Sequence, residues 1–398
     1  MGYGGGGGGG GGSGGGGGSG SGGSGGSGAG GASGDRRVGD DRTANLKVNN
    51  ITNRDGNSGT EVDGIVKVNS TAHFIPPSGT TAERGSRGRG IFGGGYDAAS
   101  PYPGMNILDY ITIATLGDAH DFGDLSVGRS AKCGGSSATR GIFINGRFSP
   151  TGDYFNIIDY VTISSTGNAF DFGDLTNHYN PAAAGTSNQI RGVYGGGYFD
   201  YATAGNTPNL WLSNMGYYTI ATKGDSSYFG ELANKGRRSH TGSNTTRGIW
   251  GSCLGGTPGV AAILVNTIEY VSIMTTGNTQ DFGDMTVARS NTAGSMTSST
   301  RMVMQGSVNP STYDNTIDYI TMASLGDAID FGDAGAGAEA GAALSSPTRG
   351  VFLPGTPSAG DKIEYITIAT TGNSSEFGNL SHGRRVYGSV CDSHGGLG

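Results

Sequence analysis

Six related segments of about fifty residues constrain this chain more than any other feature. The stretch NILDYITIATLGDAHDFGDLSVGRS (106–130) returns as NIIDYVTISSTGNAFDFGDLTNHYN (156–180) and as NTIEYVSIMTTGNTQDFGDMTVARS (266–290). It recurs in NTIDYITMASLGDAIDFGDAGAGAE (315–339), in DKIEYITIATTGNSSEFGNLSHGRR (361–385) and, degenerately, in NMGYYTIATKGDSSYFGELANKGRR (214–238). The aromatic of each FG pair marks the period: Phe122, Phe172, Phe229, Phe282, Phe331 and Phe377, at separations of 50, 57, 53, 49 and 46 residues. A unit of this size cannot bury its apolar surface alone, so the units must stack on one another.

Each unit reads as strands. RGIFGGGY (89–96) is a short apolar run closed by glycines. ILDYITIAT (107–115) alternates, with Leu108, Tyr110, Thr112 and Ala114 on one side and Ile107, Asp109, Ile111 and Ile113 on the other. TGNA or LGDA is a tight turn that needs positive φ. FGDLSVGRS is a third strand, and the small-residue stretch AKCGGSSATR (131–140) leads into the next unit as a fourth. Four strands in about fifty residues is the size of a kelch-type propeller blade. The ends support closure of a ring. The first unit lacks the small-residue strand, whereas the last runs on into VYGSVCDSHGGLG (386–398), which supplies it. The expected fold is therefore an all-β, six-bladed kelch-like β-propeller over 84–398, or a seven-bladed one if residues 60–83 add a divergent blade. A β lead-in over 35–83 and a Gly/Ser-rich arm over 1–34 precede it.

Composition narrows the functions. Glycine accounts for 81 of 398 residues, and 24 of the first 34 are Gly, so turns abound and long helices are disfavoured. The formal net charge of −7 gives no global basic field for nucleic acid or an anionic membrane. Cys133, Cys253 and Cys391 are odd in number and lack CxxC spacing, which signals neither a disulfide framework nor zinc. No run of 18 apolar residues and no signal-peptide pattern occurs. Membrane insertion is not expected, and release by lysis is one route out of a cell.

The candidate sites divide into those that follow the repeat and those that break it. DFGD, at Asp121, Asp171, Asp281 and Asp330, lacks the strand lysine and HRD loop of a kinase and reads as a core aromatic followed by a bend. An acid precedes the repeated Tyr as Asp109, Asp159, Glu269, Asp318 and Glu364, with Gly216 in the degenerate unit; an arginine opens the apolar strand as Arg89, Arg140, Arg191, Arg247, Arg301 and Arg349. Together these could form a catalytic or anion-binding ring. The structural alternative, an ion pair or hydrogen bond tying neighbouring strands within each blade, fits charges that repeat with the fold. Cys133 falls in a small-residue column with Ala184, Thr241 and Ala293, as expected of buried, inert thiols near an axis. The six histidines form no HxxEH pattern, so no metal or other cofactor is expected. Symmetry breaks in the loop between the first two strands, from YDAASPYPGMN to YFDYATAGNTPNLWLSNM. In a propeller these loops share one rim. Tyr102, Tyr154, Tyr198, Tyr201 and Trp211 are thus candidate contacts for a glycan or protein, unless they simply fold the loops onto the rim.

The repeat TIDYITIATTGNAxDFGDLTVARS, together with the lead-in ITNRDGNSGTEVDGIVKVNSTAHFIPPSGTTAERGSRGRG (51–90), resembles virion structural proteins of marine tailed bacteriophages. The resemblance covers about residues 45–398 and leaves the Gly-rich arm outside. It implies a non-enzymatic structural protein, a virion appendage or extracellular fibre subunit, that assembles with copies of itself. A carbohydrate- or receptor-binding adhesin is the alternative. Ordering a glycine tract is costly in entropy, so the arm, with Tyr3, Gly4, Gly10, Ser13 and Gly18, is expected to pack against neighbouring subunits.

Overall fold

A computed structural model describes residues 88–96, 104–130, 132–147, 154–176, 184–199, 210–256, 263–289, 294–309, 312–337, 341–354 and 360–397. The arm over 1–34 and the lead-in over 35–83 lie outside these residues. The described residues contain no α-helix. Six four-stranded antiparallel sheets make six blades of a β-propeller. Blade 2, for example, runs outward from the axis through Lys132–Ser136, Arg140–Arg147, Tyr154–Thr162 and Phe170–Asp174. Blade 1 takes its innermost strand, Gly388–Cys391, from the end of the chain, with Ile91 paired to Val390 and Phe92 to Ser389. The ring thus closes at six, through the C-terminal strand.

Because every sheet is covered on both faces, the alternating strand does not divide into apolar and polar sides. Leu108 packs toward blade 2 with Phe122, Phe143 and Val161. Ile111 and Ile113 pack toward blade 6 with Phe377 and Leu380. One such apolar core fills each of the six gaps. The FG phenylalanine lies in each of them, buried.

The repeated motifs are the hardware that joins blades. Gly117, Gly167, Gly224, Gly277, Gly326 and Gly372 all have φ between +144° and +156°, as the turn demanded. Each donates its N–H to the carbonyl of the preceding blade's FG phenylalanine, from Gly167 to Phe122 (2.7 Å) round to Gly117 to Phe377 (3.0 Å). The Asn or Asp that follows accepts a backbone N–H from the same neighbour, as Asn168 Oδ1 does from Asp124 (3.1 Å). The turn is an inter-blade clasp as well as a hairpin. The FG glycine fits against it because it lacks Cβ: a methyl on Gly123, itself at φ +143°, would overlap the carbonyl of Gly167.

The two repeated charges do not pair with each other, and they join blades rather than strands within a blade. Each arginine of the first set lies over its own blade's tyrosine, 4.2–4.9 Å from the ring centroid (Arg301 over Tyr319 to Arg247 over Tyr270). That tyrosine meets the FG phenylalanine edge-on, as Tyr110 does Phe122 at 6.1 Å. The guanidinium then donates to a carbonyl of the next blade, Arg140 Nη1 to Ile220 at 2.7 Å and Arg349 to Ile113 at 3.0 Å. Cation–π attraction and a hydrogen bond across the gap account for this column.

The acids bind the connection that leaves the preceding blade. Asp159 takes Arg129 Nη1 (2.9 Å) and the Ser126 hydroxyl (2.7 Å). Asp109 takes Arg384 (2.7 Å), and Asp318 takes Arg289 and the Thr286 hydroxyl. The side chains of all three pairs are fully buried. Glu269 and Glu364 instead hold backbone N–H groups, of Ala233 (3.0 Å) and Gly335 (3.0 Å). Gly216 needs no acid because the Tyr194 ring opposite it fills the space. Its hydroxyl bonds Ser226 (2.7 Å) and Thr176 (3.4 Å).

Candidate functional site

Antiparallel order sends the two kinds of connection to opposite rims. The short hairpins, SSAT and TGNA among them, lie on one rim. The long loops and the blade-to-blade connections lie on the other, called here the loop rim. Between the rims runs the axis, lined by the innermost strands Lys132–Ser136, Ala184–Ser187, Arg237–Ser243, Ser295–Thr297, Ala343–Ser345 and Gly388–Cys391.

At the hairpin end these strands finish in a column of small polar residues. The Sγ of Cys391 donates to the Ser345 carbonyl (3.2 Å), Ser136 Oγ to Cys391 (2.6 Å), Ser187 to Ser136 (2.9 Å), Ser243 to Ser187 (2.6 Å) and Ser345 to Thr297 (2.9 Å). The remaining step is taken by the C-terminal tail, where Gly395 N donates to Thr297 Oγ1 (3.0 Å). His394 lies against the ring, its Nε2–H donating to the Ser136 carbonyl (3.1 Å) and its Nδ1 accepting from Gly396 N (3.1 Å). The tail stops the axis at this end, and Gly395 and Gly396 fit because a Cβ would overlap carbonyls of Ser298 and Ser187. Cys391 and Cys253 are buried. A β-bulge between Cys133 and Gly135 puts Cys133 opposite Phe143. Thr241 holds the equivalent place opposite Trp250, but blade 3 has Gly185 there, opposite Tyr194, and Ala184 is one residue farther along.

His394 is pushed down to about 4 and His240 to about 3, in both cases chiefly by burial. His240 Nε2–H donates to the Gln305 carbonyl (2.7 Å), and Arg289 also opposes its protonation. Both rings are neutral when folded and take a proton near pH 6.5 when unfolded. The unfolded chain therefore binds more protons below pH 6.5. The contribution of these two rings is intact above that pH and falls between 6.5 and 4, by several kcal/mol as an order of magnitude. Thermal melts across that range should show the fall, and His394→Asn should flatten part of it. An unchanged pH profile in that variant would mean His394 is not buried in its neutral form.

At the loop rim the sixfold pattern breaks. An axial cavity of about 80 Å³ is lined by Gly135, Gly185, Gly242, Ser295, Ala343 and the tail's His394, with Lys132 and Tyr387 also on its wall. Lys132 opens the innermost strand of blade 2, on the loop-rim side. Its Nζ lies 3.7 Å from the centroid of the Tyr387 ring. Tyr387 and Tyr96 share a hydroxyl hydrogen bond (2.7 Å), and Arg385 Nη1 donates to Tyr96 Oη (3.2 Å). Burial, and then the nearby Arg237, push the Lys132 ammonium down to about 7.

Of the five candidate aromatics, Tyr102 and Tyr201 lie outside the described residues. Tyr154 is described only as the first residue of its strand, paired with Arg147. Tyr198 and Trp211 do meet, in a two-stranded hairpin with centroids 4.6 Å apart. Arg237 covers them, 4.7 Å from the Tyr198 centroid and 5.9 Å from that of Trp211. Trp211 is 7% exposed, so its ring is packed against the rim. The arm residues Tyr3, Gly4, Gly10, Ser13 and Gly18 are outside the described residues. The axial group of Lys132, Tyr387, Tyr96, Arg385 and Arg237 was not read from sequence. One signal was present: Lys132 is a lysine inside the small-residue strand of SAKCGGSS.

Among the described residues no group of three or more His, Cys, Asp or Glu is placed to hold a metal ion, and no helix is long and apolar enough to cross a membrane. No protein-family model matches the sequence, and no curated protein is significantly similar to it.

Proposed function

We propose that this chain is a non-enzymatic display and binding protein, the propeller head of a virion appendage or extracellular fibre, that contacts a glycan or receptor through its loop rim. The observation that carries the reading is the division of labour between the rims. The hairpin rim repeats one set of clasps six times, which is scaffold. The divergent loops join strands at the loop rim, where Lys132 and the Tyr198–Trp211 hairpin depart from sixfold symmetry. In a repeat protein, variation gathered on one face marks the surface used for contact. Labelled full-length protein, tested on a glycan array and on bacterial cells, should bind a restricted set of them. Absence of binding to any glycan or cell overturns the adhesin role. The arm motivates a second role, self-assembly through residues 1–34. Electron microscopy of the full chain should show oligomers or fibres, and of a chain lacking residues 1–34 separate propellers. Intact fibres after that deletion overturn the assembly role.

A further inference from the structure

We propose that the axial mouth at the loop rim is a subsite for a compact oxyanion, a carboxylate or sulfate, which in an acidic sugar chain would enter the channel head-first against Lys132. The inference deepens the loop-rim reading and rests on it for the source of the anion. Three observations carry it. First, a cation is buried on the wall: Lys132 lines the cavity and lies on the Tyr387 face, with Arg237 as the charged neighbour acting on it. A cation in a partly desolvated recess attracts an anion more strongly than the same charge on an open surface. Second, the recess has a size. About 80 Å³ is room for a compact polar guest such as a carboxylate or sulfate head. His394 and the glycines after it stop the far end, so a guest enters from the loop rim. Third, the wall offers a polar contact. Thr241, Ser295 and Ser389 line this cavity together with Lys132.

Lys132 has no lysine or arginine counterpart in the other blades: at the same register stand Ala184, His240, Gly294, Ala342 and Gly388. Five blades therefore build the same channel without a lysine there. The repeat does not require this cation, which is why a ligand role outweighs a scaffold role.

The test uses the full-length protein at pH 6.5 and low salt, with sodium glucuronate, sodium sulfate and glucose as probes in calorimetric titrations. Glucuronate, sulfate or both should bind, glucose should not, and Lys132→Met should weaken binding at least tenfold. Lys132→Met keeps the stem against Tyr387, and its melting temperature should equal or exceed that of the parent, which confirms a folded variant. Tighter binding of glucuronate than of sulfate marks a sugar-borne carboxylate as the source, and the reverse marks a sulfate group. Lys132→Met binding as tightly as the parent, or neither anion binding at 10-fold the concentration at which array glycans saturate, overturns the subsite. Glycan binding on the array that is unaffected by Lys132→Met leaves the loop-rim reading standing and removes only the subsite. Lysine-dependent anion binding without any glycan or cell binding does the reverse.

Discussion

A chain ending at Tyr387 loses its cooperative thermal transition and the near-ultraviolet signal of its packed aromatics. The strand removed, Gly388–Cys391, is the innermost strand of blade 1 and pairs with residues Gly90–Gly93 along their length. Its loss bares that edge and takes Val390 from the core between blades 1 and 2, and Cys391 from the core between blades 6 and 1. Asp392 goes with it, and its carboxylate accepts the N–H groups of Gly88 (2.6 Å) and Arg89 (3.1 Å), which fastens the end of the ring to its beginning. A propeller is closed only when every blade is complete, and an open edge of unpaired backbone groups also invites association with other chains. The effect is therefore failure to form a stable monomeric ring rather than a graded loss. A chain ending at Ser393 is the informative partner. It keeps the strand and Asp392 but loses His394 and the glycines that stop the axis, and should melt a few degrees lower with cooperativity intact. Circular dichroism melts of the two truncations check both statements. A cooperative transition at the parental temperature in the chain ending at Tyr387 would show that the C-terminal strand does not close the ring.

The same region shows how much the sequence disclosed and where it fell silent. The period in FG, the alternation of ILDYITIAT and the phasing of the two ends were sufficient for six blades, four strands each and closure by VYGSVC. They sufficed because burial on both faces imposes one pattern on every unit. What a single unit does not show is which neighbour its side chains meet. Arg89 and Asp109 sit in one repeat and look like partners, yet Arg89 stacks on Tyr110 while Asp109 pairs with Arg384, 275 residues away. The signal for that second pairing was present in part. Arg129, Arg289 and Arg384 each stand seven residues after an FG phenylalanine, and each is followed in the next blade by Asp. The units without an arginine at that place are followed by Glu269, Glu364 or Gly216. At the loop rim, divergent loops gave no second copy for comparison, so Tyr198 and Trp211 could be named but not their mutual stacking. Lys132 lay inside a strand read only for its small residues.

Arg129→Met should cost about 3–5 kcal/mol, because it leaves a fully buried carboxylate without its cation. Asp159 keeps the Ser126 hydroxyl and the Ser126 N–H (3.2 Å), which cannot replace a full charge at 2.9 Å. Arg129 serves two further acceptors, donating Nε to the Asn145 carbonyl (2.8 Å) and Nη1 to Val127 (3.2 Å). Asn145 is held at φ +40°, a conformation that presents its carbonyl to the guanidinium and loses that support in the variant. Burial lowers the Arg129 pKa against the opposing pull of Asp159, so the pair is also expensive to bury. Asp159→Asn alone strands the opposite charge and should be similarly destabilising. Arg129→Met combined with Asp159→Asn removes both charges and should recover at least about 2 kcal/mol of the summed losses, the coupling expected of residues in direct contact. The gap between blades 2 and 3 makes this recovery physically reasonable. There the described residues hold the same junction without an ion pair: Thr176 of blade 2 donates its N–H to Ser226 Oγ (2.9 Å) and its hydroxyl meets those of Ser226 (3.1 Å) and Tyr194 (3.4 Å), above the bare Gly216. The fold therefore tolerates a neutral junction and does not tolerate half of a charged one. Urea unfolding of the two single variants and the double variant measures the cycle. If Arg129→Met costs less than about 1 kcal/mol, or the double variant shows no coupling, the ion pair is not what holds adjacent blades together at this junction.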